Sequence, residues 1–205
     1  MKLVDVHKKL RELNVPVFQT SDAAACLDID RAHASKLLGR LASSGHIVHL
    51  SQGLWAFEDK VETLALPQYL TKPFPSYVSL QSALYYHGMI SQIPAVTYAV
   101  SIGRTKKYKT PLGVFSIHHV SPSFFFGFKS MGKDIAKMAS PEKSLIDFFY
   151  LSPAKSRLFK ALPELELPQI FSTKKAYKII DRIKSKRRKS LVMKSFLEAK
   201  QQFKE

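Results

Sequence analysis

Four polar side chains within residues 31–40 have the types and the spacing of a surface that binds nucleic acid. Arg31, His33, Lys36 and Arg40 alternate with apolar residues that recur at i, i+3, i+4 and i+7, the pattern of a helix with one buried face. The apolar residues are Ala34, Leu37, Leu38 and Leu41. The polar face could meet a DNA major groove, and it equally fits a solvated helix face. The neighbouring elements decide between these two interpretations.

Those neighbouring elements have the outline of a winged helix-turn-helix. A first helix is predicted over 2–13, and Ser21 is predicted to cap a second helix that ends at Leu27. Asp30 is the predicted cap of the third helix, and Gly45 ends it. Residues 47–50 and 54–57 are then predicted strands, joined by a turn that contains Gln52. This hairpin would be the wing, so Gln52 joins the candidate DNA contacts.

The rest of the chain predicts a mixed α/β half. Residues 60–70 fit a connecting helix, and 72–75 are expected to be extended, so we predict domains at 1–70 and 75–205. Ser79 and Ser140 are predicted caps of helices that begin just after them. Three strands are predicted, at 97–102, 114–119 and 124–128. With a basic helical C-terminus over 172–205, the expected class is α+β: a winged helix-turn-helix followed by an α/β domain.

Composition favours a polyanionic partner. The 205 residues carry a formal net charge of +16 at pH 7, and lysines or arginines set against phosphates release counterions from DNA. The excess is uneven: residues 1–60 hold eight Lys/Arg against seven Asp/Glu, whereas residues 172–205 hold twelve against three. The predicted DNA-binding domain is therefore almost neutral. No secretory apolar segment or membrane span is evident, so a cytoplasmic protein without membrane contact is expected.

Two further basic segments are candidate contacts to a nucleic-acid backbone. Arg104, Lys106 and Lys107 lie in a predicted loop with aromatic residues, which suits a phosphate backbone or an RNA strand and equally suits a solvated hairpin tip. A second run comprises Lys186, Arg187, Arg188 and Lys189. It fits a second DNA-backbone contact or a solvated turn, and the charge distribution favours the contact.

Neither a metal centre nor a cofactor site is predicted. Cys26 is the only cysteine, which leaves neither a disulfide nor a thiolate cluster. His118 and His119 are adjacent in a predicted strand, so their side chains should point to opposite faces and could not readily share an ion.

Enzymatic activity is not expected. Asp147 could be combined with Glu142, or with Glu164 and Glu166, into a metal-dependent nuclease site. Nucleases of the carboxylate-and-lysine type place an acidic-x-Lys strand after the aspartate, and residues 164–168 contain no lysine there. No nucleophile elbow or glycine-rich phosphate loop is present either.

Two segments resemble a known family. Residues 77–90 have the sequence YVSLQSALYYHGMI and residues 139–147 have the sequence ASPEKSLID. In this order, after a winged helix-turn-helix, they are similar to motifs of the AbiEi group of type IV antitoxins and transcriptional regulators. The resemblance covers roughly residues 5–150, and the C-terminal tail does not contribute to it.

The resemblance implies a repressor of its own operon in an abortive-infection toxin–antitoxin system. Such a protein binds an inverted repeat upstream of its own gene, with two copies of a monomer on the DNA. It counteracts a nucleotidyltransferase-like toxin without stable direct binding. The DNA-binding role would transfer to Arg31, His33, Lys36, Arg40 and Gln52, although Ser51 and Gln52 occupy a turn where the family often has basic residues. The alternative is a module that binds RNA or protein through the basic loop and tail.

Overall fold

The fold is mixed α+β. The computed structural model describes residues 2–131, 136–152 and 165–202, so Glu164 and the end of the predicted tail at 203–205 lie outside the described residues. The helices are α1 Leu3–Arg11, α2 Thr20–Leu27, α3 Arg31–Ser43, α4 Leu66–Leu70, α5 Leu80–Tyr86, α6 Pro141–Leu151, α7 Thr173–Asp181 and α8 Lys186–Gln202. The strands are β1 Val17–Gln19, β2 Val48–Ser51, β3 Leu54–Ala56, β4 Ser76–Val78, β5 Thr97–Ser101, β6 Lys106–Thr110, β7 Gly113–His119, β8 Phe128–Met131 and β9 Ala136–Ala139.

The first three helices pack against a three-stranded sheet of order β1-β3-β2. Their apolar faces form one cluster that includes Val6, Leu10, Leu38 and Phe57. Trp55 also belongs to this cluster, and its Nε1 donates to Thr20 Oγ1 at 2.9 Å. Burial of these faces, rather than helix propensity alone, holds such short helices in place.

The second half contains a six-stranded sheet of order β6-β7-β5-β4-β9-β8. β5 runs parallel to β7 and β4 runs parallel to β9, whereas the remaining neighbours are antiparallel. Helices α5, α6, α7 and α8 share one large hydrophobic cluster with strands of this sheet. The edge strand β6 lies at one end of the sheet and β8 at the other.

A third hydrophobic cluster joins the two halves. It contains Leu50 of β2 and Leu54 of β3 together with Ala99, Phe115 and Ile117 from the six-stranded sheet. β2 contacts β6 directly. The hairpin is therefore packed against the second half of the chain, while the boundary between residues 70 and 75 stays a prediction.

Two local predictions are wrong and a third, the connecting helix, is confirmed only in part. The aromatic run 124–128 is not a strand, because Pro122–Phe124 forms a 3-10 turn, Gly127 has φ +79°, and the strand starts only at Phe128. The predicted helix over 60–70 is reduced to short 3-10 segments followed by α4. Residues 71–74 form a hydrogen-bonded turn rather than an extended linker, since the Phe74 N–H donates to the Thr71 carbonyl at 2.9 Å.

The predicted helix caps have mixed outcomes. Asp30, Gly45 and Ser140 act as predicted: Asp30 Oδ1 accepts the His33 N–H, Ser140 Oγ accepts the Lys143 N–H, and Gly45 has φ +75°. Ser21 does not cap α2 as predicted, because the helix already begins at Thr20. Gln19 and Asp22 form the cap instead. Ser79 precedes α5, but its hydroxyl donates to Asp147 instead of capping the helix.

Candidate nucleic-acid interface

Helix α3 presents three of its predicted contact residues on one stripe. His33, Lys36 and Arg40 are spaced i, i+3 and i+7, which aligns them on one helix face, and all three are exposed. The opposite face is buried in the first cluster. Among the residues that the structure describes, none of the three side chains has a hydrogen-bond or ion-pair partner. The stripe is therefore an accessible cationic surface.

Arg31 lies at the start of α3 beside the β2–β3 turn. Its Nη2 atom is 3.9 Å from the position that a Cβ on Gly53 would occupy. Gly53 has φ +69°, a conformation that glycine adopts without the steric cost of a side chain. The Thr20 N–H donates to the Gly53 carbonyl at 2.9 Å, which ties the turn to α2. Exposed Gln52, the neighbour of Gly53, thus lies in the same region as Arg31.

The predicted basic loop is largely a strand. Lys106 and Lys107 belong to β6, and only Arg104 precedes it. Successive strand residues point to opposite faces, so the two lysines cannot act on one surface. Lys106 Nζ lies 4.6 Å from the centroid of the Tyr108 ring. Because β6 contacts β2, the structure brings these cations near the hairpin but distributes them over two faces.

The C-terminal basic run forms the first turn of α8. Within the run, Lys189 pairs with Asp181 at 2.8 Å, and the Arg188 guanidinium lies 4.7 Å from the Tyr150 ring centroid. Lys186 and Arg187 are exposed, and neither has an ion-pair partner among the described residues. Both cations lie at the N-terminus of α8, where the helix dipole adds its own partial positive charge to the local field. Two of the four predicted residues therefore remain available to a phosphate backbone.

A buried polar cluster lies where the two family-like motifs meet. Lys143 and Asp147, one turn apart on α6, form an ion pair with both side chains fully buried. Tyr77 Oη donates to Asp147 Oδ2 at 2.9 Å, and Ser79 Oγ donates to the same oxygen at 2.8 Å. Lys143 Nζ also lies 3.9 Å from the Phe124 ring centroid. Each polar member of this cluster thus has its partner inside the protein.

This cluster does not follow from the sequence patterns described above. Lys143 and Asp147 stand at i and i+4 on the predicted helix, where side chains meet, and this spacing indicates an ion pair. Burial raises the pKa of the Asp147 carboxyl and lowers the pKa of the Lys143 ammonium, since both charged forms lose water. Desolvation also raises the pKa of the Tyr77 hydroxyl.

Two of the residues considered for a nuclease site, Asp147 and Glu142, bind other groups of the protein. Both oxygens of Asp147 are taken up by Lys143, Tyr77 and Ser79. Glu142 is buried and accepts hydrogen bonds from Ser140 Oγ at 2.8 Å and the Ser172 N–H at 3.0 Å. His118 is buried while His119 is exposed. Within the described ranges, no group of three His, Cys, Asp or Glu side chains is arranged to hold a metal ion.

No family model matches the chain, and no curated protein matches it significantly. The resemblance to the AbiEi group therefore rests on the two motifs and their order in the sequence. Across the described segments, no helix combines the length and apolarity needed to cross a bilayer.

Proposed function

We propose that the protein is a sequence-specific DNA-binding regulator in which residues 1–70 form a winged helix-turn-helix. In this arrangement α3 enters the major groove, and the β2–β3 hairpin is the wing. The observation that carries the proposal is the stripe of His33, Lys36 and Arg40, exposed on α3 without partners among the described residues. Buried apolar residues on the opposite face of α3 keep that stripe directed outward.

Individual roles follow from position and side-chain chemistry. Arg40 and Lys36 are the main candidates for base edges and phosphates, because both donate charge-assisted hydrogen bonds. His33 is a weaker contact, since a neutral imidazole carries a single donor. Arg31 and Gln52 lie at the junction of α3 with the hairpin, where they would contact the backbone beside the groove. Each contact depends on the hairpin remaining packed against α2.

Affinity requires more charge than the first 60 residues supply. Their eight Lys/Arg are nearly balanced by seven Asp/Glu. Two additions would compensate: binding of two copies of a monomer to an inverted repeat, and backbone contacts from Lys186 and Arg187 at the start of α8. In both cases α3 alone recognises the bases, and contacts with phosphates supply the remaining affinity.

The resemblance extends this proposal to an antitoxin of a type IV system. The protein would repress its own operon and counteract a nucleotidyltransferase-like toxin without stable direct binding. Convergence of the two motifs on Asp147 supports treating them as one structural unit. Co-expression with the product of the neighbouring gene tests this part: restored growth is expected, and unrelieved toxicity, or a neighbour of unrelated type, would contradict it.

A gel shift across a salt series tests the DNA-binding role. The probes are the region upstream of the gene and a scrambled duplex of equal length, and preference for the upstream DNA at physiological salt is expected. Arg40→Ala should remove much of that preference. Arg187→Ala should weaken binding to both duplexes equally and reduce the slope of log affinity against log salt concentration by about one. Lys129→Ala, a charge loss on the distant edge strand β8, serves as the control. Equal binding of both duplexes by the unmodified protein would overturn the proposal.

A second candidate is an RNA-binding or protein-binding module. The observation that favours it is the edge strand β6, where Lys106 and Lys107 remain without ion pairs among the described residues. In the same assay, an unlabelled single-stranded RNA should then compete better than the upstream duplex. Competition should also depend on Lys107 and not on Arg40.

A further inference from the structure

A cleft in the second half is lined by groups that the DNA-binding proposal does not use. It lies between the turn at 71–74, the end of β5 and the start of β6, with a volume of about 580 Å³. That volume is within the range of small-molecule sites, which are roughly 300–1,000 Å³. From the sequence, Arg104 and Lys106 were expected in a loop, and no cavity was expected beside them.

The charge of the cleft selects an anion. Lys72, Arg104 and Lys106 line it, and no Asp or Glu is among its lining residues. None of the three cations forms an ion pair within the part of the chain that the structure describes. Cations that line a cavity without acidic neighbours favour a ligand with more than one negative charge, such as a phosphate group.

One wall of the cleft is an aromatic side chain in a fixed position. Phe74 is 47% exposed. It packs directly on Gly103, where a Cβ would come within 2.9 Å of the Phe74 ring. Tyr108 also lines the cleft, but Lys106 lies over its ring. Phe74 therefore provides the accessible surface on which a planar group can stack.

Hydrogen bonds hold the adjoining wall, around Gly103, in place. Ser101 is fully buried; its hydroxyl donates to the Pro75 carbonyl at 2.8 Å and accepts the Gly103 N–H at 3.0 Å. His119 Nδ1 lies 2.9 Å from the Gly103 carbonyl. Because a carbonyl only accepts, Nδ1 carries the proton, and Nε2 is an acceptor when the ring is neutral. Such an acceptor suits a sugar hydroxyl or a base N–H.

We propose that this cleft binds a phosphorylated nucleoside. The cations would hold the phosphates, Phe74 would stack on the base, and His119 would accept from the sugar or the base edge. The same chemistry is offered by a free nucleotide and by the 5′-phosphorylated end of a nucleic-acid strand. The site is independent of α3, so it stands whether or not the protein recognises an operator.

Isothermal titration calorimetry of the full chain tests the proposal. The probes are ATP and GTP, the unphosphorylated nucleosides, inorganic phosphate, and a short RNA with and without a 5′-phosphate. The nucleotides or the 5′-phosphorylated RNA should bind, with nucleosides and phosphate at least about tenfold weaker, because each lacks half of the contacts. Binding of free nucleotides alone assigns a metabolite as the source, and binding of the phosphorylated RNA alone assigns a strand end.

Surface variants distinguish binding in this cleft from non-specific attraction of anions to a basic protein. Arg104→Ala and Phe74→Ala should each weaken binding by about tenfold or more, and both residues are exposed, so the fold should tolerate the changes. Lys129→Ala, which removes an exposed cation outside the cleft, should leave nucleotide binding unchanged. Failure of every phosphorylated probe to bind at millimolar concentration would overturn the proposal. Equal binding of inorganic phosphate, or insensitivity to both cleft variants, would overturn it as well.

Discussion

Helices α3 and α6 carry similar polar residues in opposite environments. On α3, the side chains of His33, Lys36 and Arg40 are exposed and form no hydrogen bond or ion pair with the described residues. On α6, Lys143 and Asp147 are fully buried and satisfy each other, with Tyr77 and Ser79 completing the coordination of the carboxylate. The difference separates two uses of charge: a surface charge is available to a ligand, whereas a buried pair is committed to the fold.

This comparison predicts where substitutions alter stability and where they alter binding. Removing one partner of a buried ion pair leaves an uncompensated charge in a medium of low polarity. Removing an exposed cation leaves water in its place and changes the protein's stability little. We therefore expect variants of Lys143 and Asp147 on α6 to lower the free energy of unfolding. Variants of the exposed stripe on α3 should instead lower the affinity for DNA.

Lys143→Met should produce the largest effect. Methionine retains most of the packing volume beside Phe124 and Gly127 but removes the ammonium, so Asp147 remains buried without its cation. The expected loss is about 3–5 kcal/mol in the free energy of unfolding, measured by urea denaturation followed by circular dichroism. A second change, Asp147→Leu, should recover part of this loss.

The matched control makes the same chemical change on α3. Lys36→Met is expected to change the free energy of unfolding by no more than about 0.5 kcal/mol, because Lys36 is exposed and unpaired among the described residues. Equal losses for the two variants would contradict the distinction between the helices.

Ser79→Ala should have an intermediate effect. It removes one of the two hydroxyl groups that donate to Asp147 Oδ2, and no water can reach the vacated position without opening the core. The expected loss is about 1–3 kcal/mol in unfolding free energy, measured in the same urea experiment. Ser35→Ala on the exposed face of α3 is the control and should not destabilise the protein. A Ser79 variant as stable as the control would remove this hydroxyl from the structural cluster.

The sequence predicts some of these features because their causes are local. Asp30 caps α3 and Gly45 ends it, and both roles depend on residues within one helical turn. The apolar period of α3 likewise predicts its buried face correctly. The exposed stripe of candidate contacts follows from the same period, since it is the other side of the helix.

Other features depend on residues that are distant in the sequence, so a local sequence pattern cannot predict them. Tyr77 and Asp147 are separated by 70 positions, so their hydrogen bond becomes visible only in the fold. Residues 124–128 have strong β-propensity, yet Phe124 packs over the Lys143 ammonium in a 3-10 turn, which overrides that propensity. The strand over Lys106–Thr110 was missed because lysines are depleted in strands, although an edge strand tolerates and even favours them.

The smallest expected effect concerns two aspartates, Asp30 and Asp147, whose pKa values shift in opposite directions. Hydrogen bonding from the His33 N–H lowers the pKa of Asp30 on the surface, whereas burial raises the pKa of Asp147. A folded pKa below the unfolded value of 3.8 means that ionised Asp30 stabilises the fold above that pH. This contribution is lost as the pH falls through the folded pKa.

Asp30→Asn and Asp30→Ala distinguish the charge from the cap. Asparagine still accepts the His33 N–H, so its variant should retain the cap but lose the acid-sensitive contribution, while alanine loses the cap at every pH. Urea denaturation between neutral and acidic pH should therefore show a small advantage of the unmodified protein over Asp30→Asn near pH 7 that disappears in acid. The gap between Asp30→Asn and Asp30→Ala should persist throughout. A gap between the unmodified protein and Asp30→Asn that does not change with pH would mean that the carboxylate acts on α3 only as a hydrogen-bond acceptor.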